Sequence, residues 1–587
     1  MRTLIFALGI AVITSCGEPE ATLTQNATQS AADERLAPWT KGGMVAAADP
    51  RAVAAGVAVL DAGGHAVDAA IAVHAVLGLV EPQSSGLGGG AFMVVYDRAA
   101  EDVFVYDGRE TAPSAVTQNL FLKEDGSVMG FVESWQSGRS VGVPGVVSMY
   151  KLAHDNHGRT NWSDLFSSAI SLAEDGFDVS PRLASLLANS RLRAAIQLDD
   201  NANTAAYFYP DGEPLVDGDV RDNPQYAETL RLIAAQGPSA FYGGETALAI
   251  VEAANAGPNG GSMTLSDLAD YEPLARTPLC GGFRDLTVCS APPPSSGGIA
   301  QNMILGLYDK LAPTGDDRAI EDLLQAFVDA QRLAYADRDH YVADDAFVDV
   351  PAMELINPGY LTVRATERFA PDELSTPGDP GAVLYDTPMI DMWGRDTTEA
   401  APGTTHISIV DKDGNAVSMT ATVEAAFGSS RWAAGFLLNN ELTDFARLPV
   451  KNGTPVANAP AGGKRPRSSM SPTLVFDEND DLLMVTGSPG GNSIIAYVAK
   501  TLIAVLDWDH TAQEAVDLPN VIARGDRVGV EVSAEGGDQV AETLRDLGYS
   551  VSEGRGENSG LHVIVVREDG LEGGADPRRE GVAVAVP

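Results

Sequence analysis

The chain has 587 residues, enough for two or three ordinary domains or for one large layered body with a continuous core. Its formal net charge of −42 describes a strongly solvated, self-repelling surface and speaks against nucleic acid or an anionic membrane as partner. In so acidic a chain, a site that grips a substrate carboxylate has to be locally basic, which directs attention to arginines inside motifs.

In chain order, the N-terminus reads first as an export signal. Arg2 precedes an apolar run, residues 4–12, that is too short to span a bilayer. The run ends in Ile13-Thr14-Ser15-Cys16, similar to a bacterial lipoprotein processing box with the cut before Cys16 and lipid on that cysteine. A plain secretory signal with an incidental cysteine is the alternative. The expectation is an exported, periplasmic protein with a signal at 1–15 and a polar, aperiodic tether at 16–41 that joins it to a membrane through Cys16.

Asp49-Pro50 is a helix-start signal, and residues 51–62 carry small apolar residues at helical spacing until Gly63-Gly64. A second apolar helix is predicted at 67–79. Residues 86–90 form a glycine turn into a strand at 91–97, paired with 103–106 and followed by Asp107-Gly108-Arg109-Glu110. Helical patterns at 165–174, 182–196 and 245–254 bring no catalytic constellation with them. Cys280 and Cys289 flank a short hairpin, leaving open either a disulfide or two buried thiols. A long amphipathic helix is predicted within 315–342. The stretch 371–402, rich in Pro, Gly and Asp, reads as a loop that delivers the chain to Gly403. The eight histidines show no metal-ligand spacing, so neither a metal nor a cofactor is expected.

Residues 403–422 carry the chemistry. The alternation at 405–410 predicts a half-buried strand, Asp413-Gly414 a tight turn, and 416–422 the returning strand. Thr404 then stands at the outer end of a hairpin. A threonine hydroxyl is a poor nucleophile without a base, and one solution makes the threonine the first residue of a chain, so that its own α-amine serves. That requires a cut before Thr404, which a flexible Gly403 would permit through attack of the Thr404 hydroxyl on the preceding carbonyl. His406 is read as a core or ladder residue rather than a catalytic base. Further on, strands are predicted at 473–476 and 482–485. Gly490-Gly491 then leads into a helix at 493–506, and backbone N–H groups at such a positive helix end suit a developing oxyanion.

The run T-T-H-I-S-I-V-D-K-D-G-N-A-V-S-M-T (404–420) resembles the start of the small subunit of γ-glutamyltransferases, which are self-cleaving N-terminal-nucleophile hydrolases. L-L-N-N-E-L-T-D-F (437–445), K-R-P-R-S-S-M-S-P-T (464–473) and V-T-G-S-P-G-G (485–491) extend the resemblance. So do G-L-G-G-G-A-F-M (86–93), D-G-R-E-T-A-P (107–113), P-P-P-S-S-G-G (292–298) and G-A-D-P-R-R-E-G (574–581), all in the family's order.

The resemblance implies a four-layer αββα sandwich made by two autoproteolytic pieces, 42–403 and 404–587, held together as a heterodimer. It implies that Thr404 takes the γ-glutamyl group of glutathione or a related amide and passes it to water or an amino acid. Thr422 would orient the Thr404 hydroxyl, and Gly490 and Gly491 would be the oxyanion donors. Arg109 would bind the substrate carboxylate with help from Ser468 and Ser469. Glu441 and Asp444, with Glu424 nearby, would bind the ammonium.

Three departures stand out. Glu424 replaces a common asparagine. Arg467 replaces a common leucine, where it would strengthen carboxylate binding, admit a dianionic acyl group, or pair with Glu424 or Glu441. The stretch between Asp444 and Lys464 lacks the tyrosine that lids the site in some members, which favours water as acceptor. The rival readings are a glutaryl- or cephalosporin-type amide acylase of the same fold, and a non-catalytic periplasmic binding lipoprotein with an uncut chain.

Overall fold

The predicted hairpin forms the middle of a seven-stranded antiparallel sheet. The computed structural model describes residues 39–257, 259–315, 317–398, 403–554 and 559–586 as one continuous chain; the export signal and nearly all of the tether lie outside them. The strands that build the centre are β1 (Gly43–Ala47), β2 (Gly90–Asp97), β3 (Asp102–Asp107), β4 (Leu274–Arg276), β5 (Leu279–Phe283), β6 (Leu286–Ser290), β7 (Gly403–Val410), β8 (Ala416–Glu424), β9 (Thr473–Phe476), β10 (Leu482–Gly487), β11 (His562–Arg567), β12 (Gly570–Ala575) and β13 (Val582–Val586). The first sheet runs β13-β1-β7-β8-β2-β3-β4 and the second β12-β11-β10-β9-β6-β5. The flanking helices are α1 (Pro50–Asp61), α2 (Ala66–Val80), α3 (Gly297–Leu311), α4 (Ile320–Tyr341) and α5 (Ile494–Leu506).

Strand alternation sorts the core into layers. Val45 and Ala47 of β1 join Ile407, Ile409, Val417 and Met419 in a cluster with α1 and α2. Met44 and Ala46 join Phe92, Val94 and the second-sheet residues Leu474, Met484 and Ile564, in a cluster that continues into α3, α4 and α5. The order is therefore helices, sheet, sheet, helices. Each piece expected from the sequence supplies strands to both sheets, so neither has a core of its own.

The alternation at 405–410 proves to mean something other than a half-buried strand. All eight residues of β7 and all nine of β8 are buried. Their polar face meets the second sheet instead of water: Ser408 Oγ donates to the His562 carbonyl at 2.9 Å and Ser418 Oγ to the Thr486 carbonyl at 2.8 Å. Likewise α4 is amphipathic only at its start, since residues 326–341 are buried on every side. Its charges are matched internally, with Asp337 2.8 Å from Arg364.

The helix predicted at 182–196 is two helices, Pro181–Ala188 and Ser190–Ile196. Asn189 at the junction leaves the helical region (ψ 104°) and caps the second helix by accepting from the Arg191 and Leu192 N–H groups. Cys280 and Cys289 stand directly opposite on β5 and β6 and are joined as a disulfide.

Candidate active site

Register places the two threonines together. Across β7 and β8, Thr404 pairs with Thr422 and His406 with Thr420. Thr422 Oγ donates to the Gly403 carbonyl at 2.8 Å and accepts the Glu424 N–H at 2.8 Å; the Thr404 hydroxyl lies 3.1 Å away and donates to it. In the continuous chain, then, one hydroxyl polarises the carbonyl before Thr404 while it holds the Thr404 oxygen beside that carbonyl. A bulge follows Thr422, and Glu424 adopts a left-handed φ of 77°, backbone strain of the kind that collects at functional sites.

His406 is fully buried, with its ring nitrogens on Thr420 Oγ (2.9 Å) and Ser408 Oγ (3.0 Å). Burial, with His562 behind it, pushes its pKa well below the usual range. It is held as a ladder residue.

Gly403 is also required by close packing. A Cβ there would lie 2.3 Å from the Ala425 carbonyl carbon and 2.5 Å from the Glu424 oxygen. Gly403→Ala would force the two strands apart at the bond to be cut, a strain of about 1–3 kcal/mol. We expect uncut chain to accumulate in this variant, measured as the full-length fraction on denaturing gels over time. A wild-type cutting rate would contradict this.

Arg109 follows β3 and is fully buried. Its guanidinium donates to Glu441, to Asp444 at 2.6 Å and to the Pro466 and Arg467 carbonyls at 3.1 and 3.0 Å. Burial alone would disfavour its charge, but Glu441, Asp444 and Glu110 outweigh that and raise its pKa. Burial pushes Glu441 up to about 7 against the pull of Arg109, and it raises Asp444 as well. Glu110, buried beside them, is raised well above the carboxylate range by burial and by Glu441.

Ser468 and Ser469 lie on the same wall. The P-P-P-S-S-G-G loop holds their backbone, Ser296 donating to the Ser468 carbonyl through its N–H (2.8 Å) and its Oγ (2.6 Å). Arg338, deep in α4, donates to Ser469 Oγ at 2.6 Å and to Asn492 Oδ1 at 3.2 Å. It thus ties the serine pair to the loop that starts α5. Arg338 sits inside an amphipathic helix pattern that does not single it out; the A-Y-A-D-R run is the available signal. Gly490 precedes α5 with φ 135°, and a Cβ there would strike the Tyr497 ring at 2.4 Å. Glycine is therefore required where the chain turns into the helix.

Nine of the ten residues singled out in the sequence line one cavity: Arg109, Thr404, Thr422, Glu424, Glu441, Asp444, Ser468, Ser469 and Gly491. Gly490 stands one residue behind. Arg467 does not pair with Glu424 or Glu441. It turns away from the cavity to an ion pair with Asp396 at 2.8 Å, buried on both sides. Glu424 lines the cavity and accepts from the Asn440 amide.

Among the described residues, topology does assemble one cluster with ligand-like spacing, His65, Asp97 and His157, whose donor atoms lie within 4.8 Å of one another. His65 Nδ1, however, accepts the Val67 N–H as the N-cap of α2, which puts the ring proton on Nε2, while His157 bonds Tyr106 and Asp97. That donor set suits a hydrogen-bonded cap and leaves His65 Nε2 without a lone pair for a metal.

The chain is similar to known proteins in sequence and in fold. The gamma-glutamyltranspeptidase family model matches residues 52–586. The chain is 35% identical over 549 residues to the glutathione hydrolase proenzyme of Escherichia coli (strain K12), covering 92% of this chain and 90% of that protein. It is 31% identical over 554 residues to the acylase ACY 1 proenzyme of Pseudomonas sp. (strain SE83), covering 93% of each. The crystal structure of a cephalosporin acylase from Bacillus halodurans has the same fold, with a TM-score of 0.79 at 24% identity over 98% of this chain and 99% of that one. The chain belongs to the gamma-glutamyltranspeptidase family and has its N-terminal-nucleophile hydrolase fold.

Proposed function

We propose that the chain cuts itself before Thr404 and then acts as a γ-glutamyl hydrolase and transferase on glutathione and related γ-glutamyl amides. In the cut, Thr404 Oγ attacks the Gly403 carbonyl carbon while Thr422 Oγ–H stabilises the oxygen. The hydroxyl proton passes to the Thr404 nitrogen as the C–N bond breaks, and water hydrolyses the resulting ester to leave a Gly403 carboxylate and a free Thr404 amine. In turnover that amine takes the hydroxyl proton, and Thr404 Oγ attacks the γ-carbonyl. The N–H groups of Gly490 and Gly491 face the oxyanion, and the leaving amine departs with the proton. Water or an amino acid then takes the acyl group from Thr404. Residues 42–403 and 404–587 remain together because the two sheets need both.

One observation carries the choice of acyl group: in the cavity that holds Thr404, the Arg109 guanidinium is clasped by Glu441 and Asp444. A zwitterionic α-amino acid head exchanges into this arrangement with the charge conserved, its carboxylate taking the guanidinium and its ammonium the two acids. A glutaryl group brings the carboxylate alone and sets it against Glu441 and Asp444. The acylase reading keeps its support from the Pseudomonas relative and makes the opposite prediction.

The test compares γ-glutamyl-p-nitroanilide with glutaryl-p-nitroanilide in the wild type and in Asp444→Asn. Loss of a charged hydrogen bond to the ammonium is expected to lower kcat/KM for the γ-glutamyl donor by about 10–100-fold, while glutaryl turnover is unchanged or improved. Wild-type preference for the glutaryl donor would overturn the assignment.

A further inference from the structure

Strand β7 starts before its neighbour can cover it. The β1–β7 ladder runs from Met44 opposite Val410 to Ala47 opposite Ile407, so residues 404–406 extend past the end of β1. On its other side Thr404 is paired with Thr422. At the open side a side chain stands where a strand would: Arg579 Nη1 donates to the Thr404 carbonyl at 2.9 Å.

Arg579 comes from G-A-D-P-R-R-E-G, near the far end of the chain, and is built into place. Its Nε donates to the Ser559 carbonyl at 3.1 Å and its backbone N–H to the Asp576 carbonyl at 3.1 Å. Nη1 also lies 3.5 Å from Ser84 Oγ and 3.8 Å from Glu81 Oε2. Gly560 makes room for the stem, since a Cβ there would fall 2.6 Å from Arg579 Cδ. The residue is buried, and burial together with Arg182 brings its pKa down to about 9, which leaves it charged at neutral pH.

We propose that Arg579 is a positioning residue for the nucleophile: it closes the open edge of β7 at Thr404, and its charge disfavours the ammonium form of the amine that the cut exposes on the same residue. The proposal rests on Thr404 acting as an N-terminal nucleophile. Once cut, Thr404 is a strand end that would fray, and a charge-assisted bond on its carbonyl fixes its backbone while leaving the hydroxyl and amine free. An unperturbed α-amine titrates at about 7.7–8.0 and is largely protonated at neutral pH, where it is no base. A fixed cation one residue-length away favours the free amine.

The other charges in reach are Glu81, Asp576, Arg182 and the Tyr497 hydroxyl around Arg579, with Glu424, Glu441, Asp444 and Arg109 on the cavity side. Glu81 offsets part of the effect, but it is shared with Arg182, which pairs with it at 2.9 Å.

The experiment is the pH profile of kcat with saturating γ-glutamyl-p-nitroanilide for the wild type, Arg579→Gln and Arg579→Lys. Saturation removes the Glu441 titration, because the bound ammonium keeps that carboxylate charged. In Arg579→Gln the acidic limb is expected to move up by about one pH unit, lowering kcat about tenfold at the acid end with little change in KM. Arg579→Lys returns the limb toward the wild-type position. If Arg579→Gln yields no cut protein, Glu81→Gln reads the same charge in reverse, and its limb moves to lower pH.

A limb that stays put in Arg579→Gln, or in Glu81→Gln where that variant is used, overturns the proposal while leaving a cut, active wild type untouched. So does an equal loss at every pH that lysine does not relieve. A wild-type chain that stays whole removes the reading beneath the proposal, and the proposal with it.

Discussion

Thr404→Ala is expected to stay a single full-length chain and to release no product from any γ-glutamyl amide. The hydroxyl is at once the attacking group of the cut and the nucleophile of turnover, so the variant loses both, and removal of a nucleophile of this kind lowers kcat by about 10⁶-fold. The fold should persist, because Thr404 keeps its place opposite Thr422 and its carbonyl keeps the bond from Arg579, neither of which needs the hydroxyl. Denaturing electrophoresis and a p-nitroanilide assay read the two losses separately. Thr404→Ser, which restores an oxygen at the same place, should return both in part. Two bands from Thr404→Ala would assign the cut to another protease.

Arg109→Gln is expected to produce the second largest effect, on binding and on stability together. The substitution leaves Glu110, Glu441 and Asp444 around a site that has lost the one cation among its described lining residues. Breaking a buried pair in this way costs about 3–5 kcal/mol, because the remaining charge has no partner. Removing a bidentate grip on the substrate carboxylate should lower kcat/KM by about 10³-fold or more. Arg109→Lys should not rescue, since a single ammonium cannot serve Glu441, Asp444 and two backbone carbonyls at once. Calorimetry and steady-state kinetics check the two effects. A variant with wild-type melting temperature and unchanged KM would show that Arg109 is only a surface-like support.

Much of the site was legible because its residues lie in short runs whose spacing survives folding. The hairpin at 403–422 can be read from its alternation and its Asp-Gly turn, which put Thr404 and Thr422 on partner strands; the role of Thr422 comes from the resemblance, and its exact pairing from the observed register. What alternation reports, however, is that a strand has two different faces, and it does not say that either is wet. The polar face of β7 and β8 lies between sheets, where Ser408 and Ser418 find partners on strands far away in sequence, while His406 bonds Thr420 and Ser408 within the hairpin.

Arg467 shows the same limit from another side. Its neighbours Ser468 and Ser469 line the cavity, yet its partner Asp396 is 71 residues earlier, and no local pattern announces that pair. Arg338 and Arg579 are hidden for the same reason, since each meets the site through hydrogen bonds to residues far away in sequence. The break at Asn189 was visible in principle, as an asparagine in the middle of a helical pattern competes for its own backbone.

The most direct test of the account is the N-terminal sequence of the shorter fragment in purified wild-type protein. The account predicts Thr-Thr-His-Ile, beginning at Thr404, in material that turns over γ-glutamyl amides. An intact chain that still turns them over, or active protein whose short fragment begins at any other residue, would contradict it.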